Sequence, residues 1–271
     1  MIGKRIKFCF IAIWLFTAGM AAATQATESP VLQRIVDSGK IRIGMSGDQA
    51  PLNAKSRTGE LIGLEVDLAK MIGEALGLKV ELVEKPFPEL LPALKRGDVD
   101  IVMSGMAITA ERSLDAVFVG PYMLSGKSIL TNSRALAAIG QAGEINRQNI
   151  TVAAIRNSTS QAFVEKHLPE AKLVTVENYE VATQMVLKDE VDALVADMPA
   201  CVLAVLRYPN QGLATLSAPF TVEPIGIAVP ASELPLQSLL DNYVSALADS
   251  GLLEMLRVQW LEKHDWVAAL P

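Results

Sequence analysis

From Ile41 onward, short apolar runs alternate with amphipathic stretches of helical period, and the alternation occurs twice along the chain. Residues 41–45 read as a buried strand. Residues 64–76 read as a helix with Leu64, Leu68, Met71, Ile72 and Leu76 on one face, ended by Gly77. A strand at 79–84, a helix at 88–94 closed by Gly97, and a strand at 100–104 complete the first series. The second series runs through a strand at 151–155, a helix at 160–167, a strand at 172–176, a helix at 181–187 and a strand at 192–196. Strand–helix–strand order of this kind predicts mostly parallel sheets flanked by helices, hence an α/β protein built of two similar units. The stretch 131–149 between them is polar and irregular. After the second unit come one more strand at 225–229 and a helical tail over 234–261, broken near Ser250-Gly251.

The amino terminus is of another kind. Lys4, Arg5 and Lys7 precede an almost wholly apolar run over 8–20, and Ala21-Ala22-Ala23 follows. That order predicts a signal peptide over 1–23, cleaved on export; the run is shorter than the ~20 residues of a spanning helix. Its removal takes away three basic residues and no acidic one, so the formal charge of −6 becomes more negative still. An acidic chain without a basic stripe excludes nucleic acid as a partner. Cys201 is the one cysteine left after residue 9, so no intrachain disulfide is expected. The two histidines, His167 and His264, have no cysteine or carboxylate at metal-ligand spacing. No metal and no cofactor is expected.

In open parallel sheets a ligand binds beyond the carboxyl ends of the strands. Those ends are Met45-Ser46-Gly47-Asp48-Gln49, Met103-Ser104-Gly105-Met106-Ala107, Arg156-Asn157-Ser158-Thr159 and Ala196-Asp197-Met198. Met-Ser-Gly occurs at two of them, where glycine lets a ligand approach the backbone. Ser158 and Thr159 open a helix, whose free N–H groups favour an anion. Arg112, three residues after a candidate N-cap at Thr109, offers a planar fork suited to a carboxylate. Asp197 closes the apolar run 193–196 and suits an ammonium.

With these residues in view, the chain resembles the polar amino-acid-binding proteins of ABC transporters, the family 3 extracellular solute-binding proteins. The resemblance lies in Gly44…Asp48…Ala50-Pro51 with the block 59–68, in the block 87–94 followed by Gly97-Asp98-Val99-Asp100, in the block 104–112, in Pro121-Tyr122, and in Ser158-Thr159 and the block 191–197. It implies a type II periplasmic-binding-protein fold. Lobe 1 would span 24–125 plus 224–271 and lobe 2 131–219, with hinge strands near 126–130 and 220–225. By that resemblance Arg112 would hold a ligand carboxylate, assisted by the Ala107 backbone and by Thr159 and Ser158. Asp197 and the Gly105 carbonyl would take an α-amino group, and Phe87 would lie against the ligand side chain. Gln49 stands where many members have an aromatic, and Ala107 where a hydroxyl is usual. The implied partners are an amino acid or analogue and a membrane ABC permease; the implied state is a monomer in the periplasm, without enzymatic activity. The same architecture serves periplasmic cyclohexadienyl dehydratases and sensory ligand carriers. The dehydratase chemistry needs a carboxylic acid, expected shortly after Asp197, where Met198-Pro199-Ala200 offers none.

Overall fold

The computed structural model describes residues 29–271; the expected signal peptide lies outside them. Two five-stranded sheets form the frame. In the first, Lys79–Glu84, Lys40–Met45 and Ile101–Val102 lie side by side and parallel, and Glu223–Pro230 and Ala116–Ser125 complete it. In the second, Lys172–Val176, Thr151–Ile155 and Ala193–Asp197 are parallel, followed by Lys127–Thr131 and Ala214–Thr215.

Each sheet contains one strand that opposes its neighbours: Glu223–Pro230 in the first and Lys127–Thr131 in the second. These are the two strands through which the chain arrives from the other sheet. A parallel strand ends at the cleft, whereas a strand entering from across the cleft begins there, so it must run the other way. The predicted mostly parallel two-lobed α/β architecture is the one observed.

The helices sit where the apolar period puts them. Leu64–Leu76 buries Leu64, Leu68 and Ile72 and ends at Gly77, whose φ of 64° is the left-handed conformation glycine adopts without steric cost. The helical tail is Leu234–Asp249 and Leu252–Arg257, separated by Gly251 at φ 79°. It packs on the first sheet through Leu236, Leu240, Val244, Leu247 and Trp260. Trp260 also donates its indole N–H to Asp67 at 2.9 Å. The second sheet has a core on each face, one around Val152, Phe163 and Val195, the other around Ala153, Val186 and Cys201. The thiol of Cys201 is buried there, and its pKa is pushed up to about 12, so it is an inert packing group. A small sheet of Asp48–Gln49, Asn53–Lys55 and Leu61–Ile62 follows the first strand, and its first strand carries Gln49.

Candidate functional site

The carboxyl ends of both sets of parallel strands converge. Between them lies a small cavity of about 10 Å³ lined by Gln49, Phe87, Gly105, Arg112, Ile155, Ser158, Thr159, Tyr179 and Asp197. Of the eight residues expected from sequence, Ala107 alone is not on this wall. It is buried, and its carbonyl accepts a hydrogen bond from Arg112 Nη1 at 3.0 Å, so it anchors the guanidinium from behind.

Arg112 opens a short 3₁₀ turn, Arg112–Leu114, and its N–H is capped by Thr109 Oγ1 at 3.1 Å. The guanidinium lies over the Phe87 ring, 5.6 Å from its centroid. It also donates to the Asn157 carbonyl across the cleft at 3.4 Å. Burial pulls the pKa of Arg112 down, and the charges of Asp197, Glu223 and Glu111 oppose that pull. The side chain thus stays a cation in a partly desolvated place, where an anionic partner gains most. Phe87, Arg112, Ser158 and Thr159 also border a wider depression of about 470 Å³, so Arg112 stands between the enclosed pocket and the outer cleft.

Asp197 is not a bare carboxylate. Lys127 Nζ sits 2.7 Å from Asp197 Oδ1 and 3.0 Å from Glu223 Oε2. Asp197 and Lys127 are direct partners on adjacent antiparallel strands. Glu223 begins the second crossing strand and accepts from Thr159 Oγ1 at 2.9 Å and Thr221 Oγ1 at 3.1 Å. Two carboxylates around one ammonium leave one negative charge in surplus, opposite the positive charge of Arg112. Burial alone would lower the Lys127 pKa, but Asp197 and Glu223 outweigh it and the net shift is upward. Thr159, expected to help Arg112, is thus committed to Glu223. Ser158 caps its helix, accepting from the Gln161 N–H at 3.2 Å.

Below the pocket floor lies Glu65, fully buried. It accepts from the Gly105 N–H at 2.7 Å, from Asn53 Nδ2 at 2.5 Å and from the Tyr122 hydroxyl. Asn53 Oδ1 in turn accepts from the Gly47 N–H at 2.7 Å, and Ser46 and Ser104 bond each other at 3.1 Å. The two Met-Ser-Gly strand ends are therefore tied together, which fixes Gly105 at φ 58° on the pocket wall. Burial raises the pKa of Glu65, and the bonds from Tyr122, Gly105 and Asn53 act against that rise.

The sequence reading missed Lys127, Glu223, Glu65 and Tyr179. A signal existed for the first: Lys127 is a lone charge followed by Ser-Ile-Leu in a buried strand, and a buried ammonium needs a carboxylate. A larger apolar groove, of about 480 Å³, includes Met123, Leu124, Val222, Trp260 and Trp266, but its one ionisable lining group is His264. Among the described residues no group of three or more His, Cys, Asp or Glu is placed to hold a metal ion.

Residues 41–263 match the family model of bacterial extracellular solute-binding proteins, family 3. The chain belongs to that family. It is 27% identical to cyclohexadienyl dehydratase of Pseudomonas aeruginosa, over 92% of each chain. It is also 27% identical to the ABC transporter glutamine-binding protein GlnH of Bacillus subtilis, over 89% of this chain and 88% of that one. Among solved structures it is similar to an ancestral arginine-binding protein bound to arginine: TM-score 0.77, 29% identity, 82% of this chain and 98% of that one.

Proposed function

We propose that the chain captures a small zwitterion, an amino acid or close analogue, in the periplasm after signal-peptide cleavage and delivers it to a membrane ABC permease. The observation that carries this reading is the enclosed pocket in which Arg112 faces the surplus negative charge of Asp197, Lys127 and Glu223. A ligand carboxylate would pair with Arg112, and its ammonium with Asp197, Glu223 and the Gly105 carbonyl. Arg112 lies in lobe 1 (24–125 plus 224–271) and Asp197 in lobe 2 (131–219), so a ligand touching both stabilises the closed form over the open one. Differential affinity for two states is how a ligand shifts such an equilibrium. Relatives named for glutamine and arginine binding support an amino-acid ligand. Calorimetry with a panel of amino acids tests it: at least one should bind, and Arg112→Ala should weaken that binding by about 100-fold or more. Unchanged binding to Arg112→Ala would overturn the assignment.

The relative named cyclohexadienyl dehydratase favours a second, enzymatic reading. It requires a proton donor beside the leaving hydroxyl. Met198-Pro199-Ala200 carries none, and Asp197 and Glu223 are both engaged by Lys127. The expected result with prephenate is no formation of phenylpyruvate; turnover would establish the enzyme.

A further inference from the structure

The 3₁₀ turn Asp265–Ala269, with Leu270 and Pro271 after it, lies beyond the residues that match the family model. It is anchored on the half of the molecule that holds the first sheet. Arg57, close after the small-sheet strand Asn53–Lys55, donates its backbone N–H to the Ala269 carbonyl at 2.8 Å. Its side chain donates from Nε to the Leu270 carbonyl at 2.7 Å. Trp266 packs against the core of the same half, its ring centroid 5.2 Å from that of Trp260.

The last two residues touch the other half. Leu270 is 3% exposed, in an apolar cluster with Ala50 and Ala54 from the region of the small sheet and with Leu203. Leu203 belongs to the helix Met198–Arg207, which starts directly after Asp197 and packs on the second sheet through Cys201 and Ala204. Arg207, the last residue of that helix, donates from Nη2 to the Pro271 carbonyl at 3.0 Å, and Glu180 holds its guanidinium at 3.3 Å. Leu270 is therefore covered by side chains from both halves. When the halves part, a segment anchored at Arg57 cannot follow Leu203, and the apolar surface between them meets water. That exposure costs free energy in proportion to its area, so the contact favours the state in which the halves are together. Neither Leu270 nor Pro271 lines the enclosed pocket.

We infer that Leu270 and Pro271 form a strap that ties the two halves together, raising ligand affinity without touching the ligand. The inference rests on the reading that ligand capture closes two lobes. Part of the closure energy then lies outside the pocket, in a contact made in the closed arrangement and broken in the open one. Whatever raises the population of the binding-competent state raises the observed affinity by the same factor.

The probes are L-arginine and L-glutamine, with calorimetry for Kd and stopped-flow displacement for the dissociation rate, on mature protein stripped of carried ligand by unfolding and refolding. For whichever binds the parent, Leu270→Ala should weaken binding about tenfold, equivalent to about 1.4 kcal/mol. Most of that change should be faster dissociation. Leu270→Ala must still unfold cooperatively; if it does not, Leu203→Ala removes the same contact from the helix side, with the same expectation. A segment that served folding alone would lower the ligand-free Tm and leave Kd and the dissociation rate where they were. A change in Kd of less than about threefold would overturn the inference and leave the zwitterion reading standing. If neither amino acid binds the parent, that reading fails for both probes and the strap is judged on the ligand-free protein by solution scattering. A larger radius of gyration in Leu270→Ala than in the parent then supports the strap, and equal radii overturn it.

Discussion

The ammonium of Lys127 lies between Asp197 and Glu223 at 1% side-chain exposure, so its removal leaves two carboxylates facing each other in a poorly hydrated place. Breaking a buried pair from one side costs about 3–5 kcal/mol. Lys127→Met should therefore lower the urea-unfolding free energy by that order, whereas Lys40→Met, which removes an exposed pair with Glu81, should cost under about 1 kcal/mol. Equal losses for the two would contradict the buried network. Glu65 gives a prediction in pH. Its folded pKa is raised by burial, so the folded protein holds that proton after the unfolded chain has released it. The resulting stabilisation is full below the unfolded carboxyl value and is lost as pH rises through the folded one. Glu65→Gln cannot titrate, so its stability relative to the parent should climb as pH goes from 4 to 7. Urea midpoints across that range check this, and a constant difference would refute it. Asp197 was legible as a lone charge closing an apolar strand, and Arg112 as a planar fork three residues after a candidate N-cap at Thr109. Glu223, Lys127 and Glu65 were not assigned, because the Gly105 N–H that bonds Glu65 lies 40 residues from it and the Lys127 pairs with Asp197 and Glu223 span 70 and 96 residues, so only the folded chain brings them together.

At the scale of elements, the strands and helices with a clean period were read to within a residue or two: Leu64–Leu76, Lys79–Glu84, Thr151–Ile155 and Lys172–Val176 all fall where their apolar spacing puts them. The strand Ala116–Ser125 did not announce itself. Its burial does not alternate, and it contains Gly120-Pro121, a pair that usually marks a turn. The small sheet over 48–62 was equally silent, since two- and three-residue strands carry no period. What joins the two large sheets is closer contact than any pattern reveals. Gly126 sits where the crossing segments touch, and a Cβ there would lie 1.9 Å from the Thr221 carbonyl oxygen and 2.8 Å from Pro219 Cβ. Backbone cannot yield as a side-chain tip can. Gly126→Ala should thus cost about 1–3 kcal/mol or more in unfolding free energy. Gly140→Ala, with open space around its Cβ, should be neutral or mildly stabilising. Thermal melts of the two variants side by side decide it; matching melts would mean that the crossing segments are not held this tightly.

For the whole molecule, the closed arrangement depends on what spans the cleft. Away from the crossing strands, where Glu223 holds Thr159 and Lys127, two polar contacts do so at the pocket, Arg112 to the Asn157 carbonyl and Gln49 to Tyr179, both 3.4 Å long and at the weak end of hydrogen bonding. Bonds of that length contribute little against the freedom gained when two lobes separate about a two-strand hinge. A ligand that pairs with Arg112 and the Asp197 cluster together adds charge-assisted bonds to both sides, so its binding energy and the closure energy become one quantity. Ligand at about 100 times its Kd should raise the unfolding free energy by about 2.7 kcal/mol. For a chain of this size that is a rise in Tm of roughly 5–10 °C. The radius of gyration from solution scattering should fall on the same titration, because the scattering of a hinged pair shrinks as the lobes meet. In Arg112→Ala both responses should vanish together at that ligand concentration. A Tm rise without contraction would mean that the ligand binds one lobe alone, and the electrostatic bridge between the sheets would not be what closes the molecule.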